Sequence, residues 1–305
     1  MCRVLDNSNQ IFSEQNNSGL MYFSRLQKNV TFRSGSMMNH PYIQLIEKKI
    51  PVIFDGAFGT QIQKSNISVE KFLTAPGCNE ILNITCPEKI SAIHTEYLKA
   101  GANVIETNSF GGSRVKLGEF GLQEKVYEIN KASAVNARNA IESYKVDRPM
   151  FVCGSMGPTG YLPSSKDPNL IGADFNELAD IFEEQAKGLY DGGVDLYLIE
   201  TSQDLLEVRA AIVGIRRMLK KEGAFRPIQV QITIDSNGRM LLGSGIESFL
   251  GAVIALNPSV VGFNCGMGPL EMLPTIEKLL KISPIPVSAL PNAGMPRNID
   301  GKAVY

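Results

Sequence analysis

From Pro51 onward the chain repeats one pattern: a short apolar run, a polar or glycine-rich loop, then apolar residues at helical spacing. The runs PVIFDG (51–56), NVIETN (103–108), MFVCGS (150–155), DLYLIET (195–201), IQVQITI (228–234), VVGFNC (260–265) and PVSALPN (286–292) predict strands. Most are near-continuously apolar, as parallel strands covered on both faces are. Helices are predicted between and after them, over residues 87–102, 125–144, 174–193, 205–221, 247–257 and 270–282. Thr85 with Glu88, and Asp174 with Glu177, have the spacing of a capping box.

Strict β-α alternation with right-handed crossovers makes a parallel sheet, either open and doubly wound or closed as a barrel. Three features favour the barrel. No G-x-G-x-x-G opens a helix after the first strand, and the units follow one another without a long reversing connection. Polar residues also stand at the C-terminal end of nearly every strand, namely Asp55, Glu106 and Asn108, Glu200, Asp235, Asn264 and Asn292. In a barrel those ends converge on one mouth.

The count stops at seven strands and six helices, where a barrel of this type has eight of each. The expected fold class is therefore α/β, a (β/α)8 TIM-type barrel that is incomplete, with its last βα unit missing. The barrel domain is assigned to residues 41–305 without an eighth strand. Residues 1–40 are rich in Asn, Ser and Gln and hold no sustained period. They read as a disordered or non-native N-terminal extension, with Met37 or Met38 as the natural start. A transit peptide is the alternative, since Arg3, Arg25, Lys28 and Arg33 outnumber Asp6 and Glu14 there.

Composition narrows the function classes. With 30 basic and 31 acidic side chains the net charge is −1, which leaves no footprint for nucleic acid or an anionic membrane. No apolar run approaches the roughly 18–20 residues of a spanning helix. Five cysteines, at 2, 78, 86, 153 and 265, are too scattered for a disulfide framework and read as reduced thiols in a cytoplasmic protein. With only two histidines, His40 and His94, a His-based triad or a His-rich metal site is close to excluded.

The candidate chemistry sits at strand ends. Cys265, followed by Gly266 and beside Asn264, is either a buried small hydrophobe or a thiolate for a soft metal or an electrophile. Asp55 opens a glycine-rich turn. It either caps local amides or forms a cradle in which the amides of Gly56 and Ala57 hold a carboxylate and Asp55 an ammonium. Glu200 follows an apolar strand and must bind a cation or pair with a neighbour.

The blocks FDGAFGT, CNEILNIT, AGANVIETNSFGGSRVKL, GSMGPTG, GGVDLYLIET, DSNGRMLLGSG, GFNCGMGP and PNAGMP, in this order, resemble the homocysteine-binding domain of cobalamin-dependent methionine synthase. The likeness runs from about Pro51 to Tyr305. It implies the barrel fold, and transfer of a methyl group to zinc-activated homocysteine, giving methionine. It implies that Cys265 is a zinc ligand and that Asp55, Gly56 and Ala57 hold the amino-acid end of homocysteine. Glu200 is implied to pair with its ammonium, with Asn108, Ser109 and Asn264 lining the mouth. The implied cofactors are zinc and, as methyl donor in a separate module, methylcobalamin. The implied partners are homocysteine and the cobalamin- and folate-binding modules of the parent enzyme.

One departure bears on activity. The resembled family supplies two further zinc ligands from a Gly-Gly-Cys-Cys-Gly segment on strand eight, and this sequence has no such segment. A free thiol with a pKa of about 8.5 is only a few per cent thiolate at neutral pH. The expectation is a fragment that does not bind zinc or transfer methyl groups on its own. The alternatives are a non-catalytic amino-acid-binding or interaction remnant, a methyltransferase completed by ligands from another chain, and a homocysteine methyltransferase of the betaine or S-methylmethionine type.

Overall fold

The computed structural model describes residues 39–293, 297–299 and 302–304. The expected N-terminal extension lies almost wholly outside the described residues. Six parallel strands follow in chain order, β1 Val104–Glu106, β2 Phe151–Met156, β3 Leu196–Ser202, β4 Ile228–Ile232, β5 Val260–Asn264 and β6 Val287–Leu290. Each pairs with the next, so the sheet order is β1-β2-β3-β4-β5-β6. The result is a curled half-barrel, consistent with an incomplete TIM-type barrel.

The first of the seven expected strands, 51–56, is reduced to a single parallel bridge between Phe54 and Val104. The ladder starts normally, with Val104 N donating to Ile53 O and Asp55 N to Val104 O. It then stops because the next amide, Glu106 N, donates to the side chain of Asp55 at 2.9 Å instead of to backbone. A short antiparallel hairpin, β7 Arg297–Ile299 with β8 Lys302–Val304, occupies a stretch expected to be loop.

The helices are α1 Pro41–Glu47, α2 Phe58–Lys64, α3 Pro87–Ala100, α4 Val126–Ser143, α5 Phe175–Asp191, α6 Leu205–Lys221, α7 Ile246–Val253 and α8 Pro269–Ile282, with shorter turns between. The Asp174–Glu177 capping box is present at the start of α5, both side chains bonding reciprocally. Thr85 does not cap α3. Pro87 takes the first helical position, Cys86 becomes the N-cap, and the Thr85 hydroxyl bonds to Lys71 O and Ile81 O. Helices α5 and α6 pack closely because Gly214 faces α5, where an added Cβ would lie 2.2 Å from Ala179 O.

Period-2 alternation divides the core in two. One set, including Ile105, Val152, Tyr197, Ile199, Val230 and Phe263, faces the helices. The inward set, including Val104, Phe151, Cys153, Leu196, Leu198 and Val260, meets Phe54 and the buried face of α1. That helix was not expected. It closes the floor of the half-barrel, where the Tyr42 hydroxyl donates to Gln229 Oε1 at 2.8 Å and its ring packs edge-on to Phe54 and Phe151. No helix among the described residues is long and apolar enough to cross a membrane.

Candidate functional site

The same alternation that buries Leu196 and Leu198 inward brings Glu200 to the inside of the mouth. Glu200 is 7% exposed. Its Oε1 accepts from Ser155 Oγ at 2.5 Å and its Oε2 from Asn264 Nδ2 at 3.1 Å. Ser155 is fixed in turn, its amide donating to Thr107 Oγ1 at 3.0 Å and its carbonyl accepting from Ser109 Oγ at 2.8 Å. The Thr107 and Ser109 hydroxyls are 2.6 Å apart. Since Ser109 donates to Ser155, Thr107 is left to donate to Ser109. Three strands thus converge on one carboxylate.

Two more carboxylates lie within electrostatic reach. Burial pushes Glu200 up to about 7, against the pull of the Ser155 hydroxyl. Burial, then repulsion from Glu200 and Asp55, holds Glu106 well above the usual carboxylate range. Asp55 is raised in the same direction by burial and by Glu200, although the Glu106 amide opposes the shift. Asp55 Oδ1 and Glu106 Oε1 are buried with no hydrogen-bond partner among the described residues. An unsatisfied buried acceptor costs about 1–3 kcal/mol, more when charged. A group with several N–H donors and a positive charge would relieve all three at once.

The sulfur end of the mouth is Cys265, just past β5. Its Sγ lies 3.6 Å from Asn264 Nδ2 and 3.8 Å from Thr201 Oγ1. Burial, then the charge of Glu200, pushes this thiol up to about 11. Both Cys265 and Thr201 have left-handed backbones, at φ 57° and 56°. Such conformations cost of the order of 1–3 kcal/mol for non-glycine residues and cluster at functional sites.

Not every expected residue turns into this mouth. The backbone amides of Gly56 and Ala57 make no backbone hydrogen bond among the described residues and stay available. Gly56 packs against Tyr97, whose hydroxyl donates to Ala57 O at 3.0 Å and would lie 3.3 Å from an added Cβ. Asn108 points elsewhere: its Nδ2 donates to Asn79 O at 2.8 Å, and its carbonyl accepts from Asn83 Nδ2 at 2.7 Å. Ser109 is fully buried and acts through Ser155. Asp235 is exposed and caps its own turn through the amides of Asn237 and Arg239. Cys78, Cys86 and Cys153 are buried free thiols. His94 is fully buried, and burial lowers it to about 3. His40 caps α1.

Ser155, Thr107 and Thr201 were missed. Glu106 was visible as a polar strand end but was given no role.

The described residues do not fit a zinc ion by themselves. The neighbours of Cys265 Sγ are an amide and a hydroxyl, and among the described residues no three His, Cys, Asp or Glu side chains are grouped to hold a metal.

Comparison with known proteins agrees with the architecture. The profile of the family described as Homocysteine S-methyltransferase matches residues 52–305. The methionine synthases of Mycobacterium leprae (strain TN) and Mycobacterium tuberculosis (strain ATCC 25618 / H37Rv) are each 39% identical over 246 residues, 80% of this chain and 20% of theirs. The chain therefore spans about a fifth of the length of these curated relatives. The metallated form of the homocysteine methyltransferase MmuM from Escherichia coli superposes with a TM-score of 0.68 at 19% identity, covering 83% of this chain and 87% of that one. The apo form of MmuM gives 0.58 at 20% identity, over 77% and 79%. At these identities the structural likeness speaks for the fold alone. The profile match and the two methionine synthases place the chain in the homocysteine S-methyltransferase family, a family of methyltransferases.

Proposed function

We propose that the mouth binds the amino-acid end of homocysteine. The observation that carries this reading is the group of the buried carboxylates Asp55 and Glu200 with the half-buried Glu106, among which two buried oxygens are orphaned among the described residues. An ammonium offers three N–H donors and one positive charge, which is what these acceptors lack. The free amides of Gly56 and Ala57 suit the substrate carboxylate, and Cys265 lies at the end that the substrate sulfur would reach. Asn264 bonds to Glu200 and lies against Cys265. In this reading residues 41–305 form the homocysteine-binding domain of a cytoplasmic protein, a setting that its free thiols suit.

Methyl transfer to a zinc-bound thiolate belongs to this proposal only through the resemblance of the sequence blocks, as do methylcobalamin and the cobalamin- and folate-binding modules. One thiol among an amide and a hydroxyl does not hold zinc. That lone thiol favours a second reading, in which the chain binds the amino acid without transferring a methyl group. Metal analysis separates the two, since stoichiometric zinc in the purified chain would overturn the second.

Isothermal titration tests the amino-acid site. L-Homocysteine is expected to bind the full chain, and 4-sulfanylbutanoate, which lacks the ammonium, to bind far more weakly. Equal binding of the two would refute the role given to the carboxylates.

A further inference from the structure

The ammonium pocket and the Cys265 sulfur are linked by one interruption in β3. The register between β3 and β4 shifts between Ile199 and Ser202. Thr201 lies in this irregularity with its left-handed backbone, an uncommon conformation for a β-branched residue. An irregularity of this kind re-aims a side chain, here that of Thr201, whose hydroxyl turns toward Asn264 and Cys265 beside Glu200. Thr201 is held there from across the mouth. Its amide donates to Asn264 Oδ1 at 2.8 Å, and its hydroxyl accepts from Asn264 Nδ2 at 2.8 Å. The same Nδ2 reaches Glu200 Oε2 at 3.1 Å, and the Thr201 hydroxyl faces Cys265 Sγ at 3.8 Å. Cys265 has a left-handed backbone as well. Asn264 Oδ1 is committed to the Thr201 amide, so the Asn264 side chain cannot turn without breaking that bond.

We infer that Thr201 is a positioning and specificity-determining residue: through Asn264 it fixes the distance between the carboxylates and the sulfur end of the site. A fixed span selects an amino-acid thiol of homocysteine length over cysteine, which is one methylene shorter. The inference rests on the amino-acid site proposed above.

Titration of L-homocysteine and L-cysteine into the full chain tests it, with T201S, T201A, T201G and E200Q as variants and thermal midpoints recorded for each. Wild type is expected to prefer homocysteine, and T201S, which keeps the hydroxyl, to match it within about twofold. T201A and T201G are expected to lose about tenfold in homocysteine affinity, the scale of one buried hydrogen bond, with little change for cysteine. T201G carries no penalty for a left-handed backbone, so it folds even if T201A does not, and its midpoint should not fall below that of wild type. A purely structural role would weaken both ligands equally. An unchanged homocysteine-to-cysteine ratio in T201A and T201G, with binding lost in E200Q, would overturn this inference alone. Homocysteine binding that survives in E200Q, or is missing in wild type, would overturn the amino-acid site itself.

Discussion

Replacing Glu200 with Gln should make the protein more stable at pH 8 and less stable at pH 4.5. The folded-state value of Glu200, about 7, lies above its ordinary 4.5. The folded chain therefore holds this proton more tightly than the unfolded chain does. Stability is greatest below pH 4.5, falls as pH rises from 4.5 to 7, and is level above. Over that window the loss is about 3 kcal/mol. Gln carries no charge and keeps an oxygen for the Ser155 hydroxyl. Its amide nitrogen, however, meets Asn264 Nδ2, and Asn264 cannot flip because its Oδ1 takes the Thr201 amide. That lost bond costs about 1 kcal/mol. The balance is a gain of about 2 kcal/mol at pH 8 and a loss of about 1 kcal/mol at pH 4.5, with the curves crossing between about pH 5 and 6. Removing the Glu200 charge also relieves Asp55 and Glu106, which adds to the gain at high pH. Urea unfolding of both proteins at pH 4.5, 6 and 8 measures this directly. A variant less stable than wild type by the same amount at every pH would show that Glu200 is not an uncompensated buried carboxylate.

Three further outcomes test the framework around the site. Tyr42→Phe leaves Gln229 Oε1 without its donor in the barrel floor, where Gln229 Nε2 is already unpaired, and should cost about 1–3 kcal/mol in chemical denaturation. Loss of the capping box in Asp174→Ala should cost about 1 kcal/mol, read from the same melts; no change would mean that α5 is held by packing alone. Alkylation of Cys265 by iodoacetamide, followed by peptide mapping, should accelerate about tenfold per pH unit between pH 8 and 10, because its thiol titrates at about 11. A rate that levels off below pH 9 would contradict the burial described for this sulfur.

The fold was legible wherever a signal is local. Apolar runs marked β1 to β6, and Asp174 with Glu177 marked the start of α5, since a capping box is complete within four residues. The segment Pro41–Glu47 was invisible because seven residues show less than two full helical periods and its value lies in closing the barrel floor. The first strand was overcalled because its apolar pattern does not reveal that Asp55 takes an amide the ladder would use. Thr85 failed as a cap because Pro87 sets where α3 begins.

In the site, Asp55, Glu200, Asn264 and Cys265 stood out as polar or reactive residues ending apolar runs. Asn108 has the same signal but faces the segment Asn79–Asn83, a tertiary choice no strand-end rule encodes. Ser155 and Thr107 look like ordinary small residues, and their roles exist only as hydrogen bonds between strands. The left-handed turn at Thr201 runs against the preference of a β-branched residue, so composition argues against it.

The most direct test of the central claim is proton release on binding. Titrating L-homocysteine into the full chain in buffers of different ionisation enthalpy counts the protons exchanged. If the substrate ammonium settles among Asp55, Glu106 and Glu200, it must displace protons that burial holds there. Release should be larger at pH 6 than at pH 8, bracketing the Glu200 value of about 7. Binding without proton exchange at either pH, or release as large at pH 8 as at pH 6, would contradict the account.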